Sequence, residues 1–205
     1  MGALEDQRAL ALSVLAVPPP AELLGAPIDY FFADHFRQRT LCRLIDEISN
    51  ARESDDECVR AVVRFLGDDF GKHIADEEED LFPLLQLRGE PDDRIGDIVG
   101  QLCEEHAADR KDADAVAAGL DALLDRSGYS TALRKLLRRF AANERRHFLV
   151  ENAIVLPLAR ARLTADDLVE LGRAAARALR AEAGLPTPVQ DLGAIRALAD
   201  LMTPT

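Results

Sequence analysis

The sequence predicts an all-α fold: an up-down-up-down four-helix bundle with an N-terminal extension and extra C-terminal helices. Three observations predict it. Apolar residues recur at three-and-four spacing through four long segments. Stretches with turn or N-cap chemistry separate those segments: SDD at 54–56, RGEPDD at 88–93 and RSGYS at 126–130. Nothing alternates with a period of two over a useful length, so no sheet is expected. Short connections between long helices force antiparallel neighbours.

Taken in order, residues 1–26 read as an extension, a short amphipathic stretch running into PPP, which stops a helix. The first long segment, 27–50, carries Ile28, Phe31, Leu41, Leu44, Ile45 and Ile48 on one face. The second, 55–88, carries Val59, Val62, Leu66, Phe70, Leu81 and Leu84. The third, 92–126, carries Ile95, Val99, Leu102, Val116, Leu120 and Leu123, and the fourth, 130–162, carries Leu133, Leu137, Phe140, Ile154 and Leu158. The bundle is thus expected over 27–162, in two halves, 27–88 and 92–162. A C-terminal helical extension occupies 163–205. Its first helix follows LTADD with Thr164 as N-cap and two aspartates in the first turn, where the helix dipole favours them. DLGAIRALADLM, 191–202, reads as one last short helix.

The composition narrows the function. The chain has 205 residues, 48% hydrophobic and 30% charged, enough for a core without disulfides. The net charge is 25 − 37 = −12, which repels nucleic acid and anionic membrane, so neither is expected as a partner. LRKLLRRF, 133–140, is the one concentrated basic run and reads as the solvated face of a helix. Cys42, Cys58 and Cys103 are scattered, with no CxxC, which fits a reducing compartment. The apolar run in 9–20 is too short for an export signal or a membrane span, and a cytoplasmic protein is expected.

The four histidines fall one to each long segment, each on the apolar stripe rather than the wet face. In the second segment the stripe runs 59, 63, 66, 70, 73, 77, 81, 84, so His73 and Glu77 occupy two of its steps. In the fourth it runs 133, 137, 140, 144, 147, 151, 154, 158, and His147 and Glu151 do the same. Residues four apart are neighbours on one helix face. FGKHIADEEEDLFPLL (70–85) and ERRHFLVENAIVLPLA (144–159) both contain H-x3-E-x5-P, at a constant offset of 147 − 73 = 74. The preceding segments carry DHFRQR (34–39) and EHAADR (105–110), at an offset of 106 − 35 = 71. The chain is therefore an internal repeat of helix pairs, each supplying one single His and one His-x3-Glu pair.

One buried imidazole is ordinary. Four imidazoles and two carboxylates on converging faces are not, because each carboxylate costs several kcal/mol to desolvate without a partner. A metal pair offsets both at once. Imidazole and carboxylate donors suit iron, manganese or zinc, and the absence of thiolates argues against copper(I) and iron–sulfur clusters. Two histidines per metal with two bridging carboxylates leave open positions, which suit chemistry or small-ligand binding.

The pattern H…H-x3-E…H…H-x3-E, one element per helix, resembles the hemerythrin-like (HHE) cation-binding domain family over residues 27–162. The resemblance implies a di-iron centre, with Glu77 and Glu151 bridging together with an oxo or hydroxo group. His35, His73, His106 and His147 would complete the two irons, with manganese or zinc as alternatives. The oxygen-carrying hemerythrins have a further histidine and an aspartate ligand. Here position 110, four after His106, is Arg and position 102 is Leu, so the set is the symmetric six-ligand type. That set is more similar to the repair-of-iron-centres proteins, although their cysteine-containing N-terminal module has no counterpart in residues 1–26. The implied partner is a small molecule: dioxygen, peroxide or nitric oxide, bound or reduced in a redox or stress response. An iron or oxygen sensor read out by the C-terminal helices, iron storage, and a structural zinc site are the other readings.

The flanking residues carry further expectations. Arg39 and Arg110 read as pairing with acids nearer the surface rather than guarding the metals. Glu78, Glu79 and Asp80 read as solvated, and Asp34 and Glu105 as members of surface pairs. Pro83 and Pro157 either kink a continuing helix or end the metal-bearing stretch. Cys42 and Cys103 read as small core residues.

Overall fold

The computed structural model describes residues 2–125 and 128–182. Among them there is helix and no strand. Helix α1 (Gly2–Ala16) and a 3-10 turn (Ala21–Gly25) precede the bundle. The first bundle helix is α2 (Pro27–Asn50). The second is built in register from α3 (Asp56–Asp68), α4 (Phe70–Ala75), a π turn (Asp76–Leu81) and α5 (Phe82–Arg88). The third is α6 (Ile95–Leu124). The fourth is α7 (Thr131–Val150), a second π turn (Glu151–Val155) and α8 (Leu156–Arg162). Helix α9 (Ala165–Glu182) follows. The short helix expected at 191–202 lies outside the described residues.

The caps follow local chemistry. Asp55 accepts from the Cys58 backbone N–H at 3.2 Å to open α3, and Ser130 accepts from that of Leu133 at 3.0 Å to open α7. Thr164 Oγ1 accepts from the Asp167 N–H at 3.2 Å, the cap expected for α9. Pro91 and the reciprocal bonds between Glu90 and Asp93 close the turn before α6. The two prolines do not end their helices. At each, the helix widens by one residue: the Phe82 N–H bonds the Glu77 carbonyl and the Leu156 N–H bonds that of Glu151, both five residues back. A proline ring crowds the carbonyl four residues earlier, and a π turn relieves that contact while the helix continues.

Helix α2 packs chiefly against α7, and α3 and α7 both pack against α6. Two apolar clusters fill the interior. One joins Leu41, Ile45, Val59, Val62, Val116, Leu120, Leu137 and Phe140; the other joins Phe31, Leu81, Phe82, Leu102, Val155 and Leu156. On every bundle helix the histidine falls where the first cluster gives way to the second. The polar layer is thus sandwiched between two apolar cores. Helix α1 lies on α2 and α3, and α9 lies on α2, the 3-10 turn and the first π turn. The LRKLLRRF run is not simply solvated. Arg134 donates to the carbonyls of Ser49 and Ala51, Arg138 to Asn50 at 2.9 Å and Arg139 to Asp112 at 2.6 Å, so it ties α7 to the C-terminal end of α2 and to the middle of α6. No helix among the described residues is long and apolar enough to cross a membrane.

Candidate metal centre

Every one of the six predicted residues is buried: His35, Glu77 and Glu151 are 0% exposed, and His73, His106 and His147 no more than 6%. The bundle brings them together in two overlapping groups. His35, His73, Glu77 and Glu151 form one, and Glu77, His106, His147 and Glu151 the other, with the potential donor atoms of each within 4.8 Å of one another. Both glutamates belong to both groups.

All four imidazoles present Nε2 to the centre. His35 Nε2 stands 3.6 Å from Glu77 Oε1 and 3.5 Å from Glu151 Oε2. His73 Nε2 is 3.4 Å from Glu77 Oε2, and His106 Nε2 is 3.3 Å from the same oxygen. His147 Nε2 is 2.8 Å from Glu151 Oε1. The Nε2 atoms of His35 and His73, both oxygens of Glu77 and Glu151 Oε2 are buried without a hydrogen-bond partner. Buried polar atoms are rarely left so. His106 and His147 place their Nε2 atoms 2.9 Å apart while both Nδ1 atoms are turned to carboxylates. Two lone pairs at that distance call for a cation, or a proton, between them.

Without a metal, protons take that part. Burial opposes charging His73, but Glu77 and Asp34 overcome it and push the imidazole up to about 10. Burial likewise opposes His147, and Glu151 and Glu105 raise it to about 10. Burial works to raise Glu77, yet the His73, His106 and His35 imidazoles hold it well below the usual carboxylate range. The pocket thus stabilises positive charge beside Glu77, and its donor set fits a pair of borderline cations.

The outward Nδ1 atoms correct several expectations. Asp34 is not a surface pair: it is buried, and its Oδ2 lies 3.0 Å from His73 Nδ1. Glu105 accepts from His147 Nδ1 at 3.0 Å. Glu78 is not solvated; it accepts from His106 Nδ1 at 2.9 Å. His35 Nδ1 meets Asn152 Oδ1 at 3.0 Å. The i and i+1 positions of a helix point about 100° apart, so each of these neighbours leaves its own helix's stripe and reaches the imidazole of an adjoining helix. Arg110 does pair with an acid, but that acid is Glu78, at 2.9 Å. Arg39 is exposed and rests over the Phe36 ring instead, at 5.9 Å. Asp34 is held in turn by Arg37 at 2.8 Å, and burial's upward push on its carboxyl is outweighed by His73 and Arg37, which bring it to about 2. Cys42 is fully buried among apolar neighbours, and Cys103 is half-buried against the second cluster.

Two phenylalanines back the imidazoles. Phe148 stacks on His35 at 5.7 Å and Phe82 on His106 at 5.9 Å. Beside His73, His106 and His147, a tight internal space is also lined by Gln38, Asp109 and Glu144. Glu144 is 2% exposed, its Oε1 has no partner, and burial, with Asp109 adding to it, pushes its carboxyl up to about 8. The repeat offset marks it: 144 − 74 = 70, where the other half has Phe70.

A family model, the hemerythrin HHE cation-binding domain, matches residues 26–159, most of the chain and all six residues of the polar layer. The chain belongs to the hemerythrin HHE cation-binding family. Membership implies cation binding, typically of iron, and the two His/Glu groups are compatible with it. No curated protein and no solved structure shows a significant match to the chain.

Proposed function

We propose that the chain is a non-haem di-iron protein that binds or reacts with a small molecule, dioxygen, peroxide or nitric oxide. His35 and His73 would hold one iron, His106 and His147 the other, and Glu77 and Glu151 would serve both. One observation carries the reading: two His2Glu2 groups share both glutamates, with four imidazole Nε2 atoms turned inward. Bound there, an iron pair would supply open positions and two redox centres.

The protein's own residues set the conditions. Asp34, Glu78, Glu105 and Asn152 orient the imidazoles through Nδ1 and leave Nε2 free to donate. Phe82 and Phe148 keep water from their faces. A cleft walled by Tyr30, Phe31, Lys72 and Asp76 reaches His73.

Elemental analysis of protein prepared with and without iron tests the reading. About two irons per chain are expected, and most should be lost in His73→Ala and in Glu77→Ala. Unchanged metal content in both variants, or an iron-loaded protein inert to dioxygen, peroxide and nitric oxide alike, would sink it.

Sensing is favoured as a second reading by one feature. Helix α9 packs on the π turn that carries Glu77, and its Ala175 and Leu179 close one side of the cleft to His73. Metal occupancy would then alter how firmly α9 sits. Limited proteolysis with and without iron separates the two readings, since an unchanged cleavage pattern in α9 counts against sensing.

A further inference from the structure

The repeat supplies every imidazole with an outward partner, yet one of the four partners differs in charge. His73, His106 and His147 turn Nδ1 to carboxylates: Asp34 at 3.0 Å, Glu78 at 2.9 Å and Glu105 at 3.0 Å. His35 turns Nδ1 to an amide, Asn152 Oδ1 at 3.0 Å. Glu78 and Asn152 are repeat equivalents, 152 − 74 = 78, each one residue after a shared glutamate. The asymmetry is therefore a substitution within an otherwise repeated device.

The difference falls between the two metal positions. Behind the His35–His73 position one carboxylate meets an imidazole, Asp34, and the buried Arg37 pairs both with it at 2.8 Å and with Asp69. Behind the His106–His147 position stand two. Glu78 is paired with Arg110 at 2.9 Å, while Glu105, besides His147 Nδ1, accepts from the neutral Gln101 amide at 2.9 Å. The first position thus has one carboxylate on its outward imidazole nitrogens, and the second has two. A carboxylate accepting from a ligating imidazole raises its basicity and its hold on a cation.

We propose that the two metal positions are unequal: His106–His147 binds its cation more tightly than His35–His73, because Asn152 stands where the repeat has an acid. This rests on the metal-pair reading above. Asn152 is a positioning residue acting through His35, and Glu105 one acting through His147. Removing such a partner typically changes metal affinity by about 10–100-fold, and a gap of that order between the two positions is expected.

Titration of chelator-treated protein with Co(II), followed by calorimetry and by the visible absorption of the bound ion, tests this. The wild type should take up two equivalents in two steps. Asn152→Asp, which keeps the shape and adds the missing charge at a half-buried position, should tighten the weaker step alone. Glu105→Gln should weaken the tighter step alone. A single step of two equal equivalents, or variants that shift both steps together as a general structural change would, overturns the inequality while leaving the metal pair intact. Uptake of no cobalt overturns both.

Discussion

A buried carboxyl oxygen without a partner is costly to keep, and Glu144 Oε1 is one. Its carboxyl sits at about 8 in the metal-free fold, against an ordinary value near 4.5. For a carboxyl raised in this way the sign of the linkage is unfavourable. Below about pH 4.5 both states are protonated and nothing is lost. Between about 4.5 and 8 the unfolded chain releases the proton and the folded chain keeps it, so stability falls as pH rises. Glu144→Gln removes this dependence. Its stability gain over wild type should be small at pH 5 and reach a few kcal/mol, as an order of magnitude, at pH 8, by denaturant unfolding of the metal-free proteins. A pH-independent difference would contradict the assignment. Glu144 stands on the apolar stripe three residues before His147, so its burial was legible in the sequence. That its Oε1 goes without a partner was not, because that depends on what Gln38 and Asp109 of two other helices do.

At the scale of elements, two details position the site. The π turns at Glu77 and Glu151 add one residue to each of the two helices that carry a His-x3-Glu pair, just before its proline. The prolines were visible in the sequence; that the helices would widen and continue, rather than kink or stop, was settled by the packing of α5 and α8 in the second apolar cluster. Helix α9 is the other detail. At Gly172 an added Cβ would stand 2.2 Å from the Leu24 carbonyl oxygen, a backbone atom that cannot move aside cheaply. Gly172→Ala should therefore cost about 2 kcal/mol, in the range of overpacking, and loosen α9 from the 3-10 turn. Faster proteolysis within α9, with the bundle helices still resistant, is the expected result. At the start of α7, Ser130→Ala removes the cap on the Leu133 N–H and should lower stability by about 1 kcal/mol in a denaturant titration.

Across the whole molecule, two apolar cores flank a polar layer whose inward nitrogen and carboxylate atoms a cation would complete. Metal binding should then be folding free energy. With free iron a thousandfold above its dissociation constant, the gain is about 4 kcal/mol. That corresponds to a rise on the order of 10 °C in the thermal midpoint for a chain of this size. The shift should vanish in His73→Ala. Acidification should reverse it, because His73 and His147 favour protons strongly in the metal-free fold and protons compete with metal for Nε2. Iron retention should fall steadily from pH 8 to pH 5 in a dialysis series; retention independent of pH would argue that the imidazoles are not the ligands.

The sequence by itself determined the helices, their order and the six-residue pattern, because apolar periodicity and a repeat at constant offset are local properties that survive without coordinates. The breaks at Asp55, Ser130 and Thr164 were equally readable, since a cap bonds within its own turn. The tertiary structure alone decided which imidazoles share a position and what stands behind each of them. Asp34, Glu78, Glu105 and Asn152 all look like solvent-facing neighbours when each helix is taken singly, because adjacent residues point about 100° apart. They become the partners of His73, His106, His147 and His35 only when a second helix is laid alongside. A helix's own stripe is written along the chain, whereas what its flanks meet is set by the distance and angle of its neighbours.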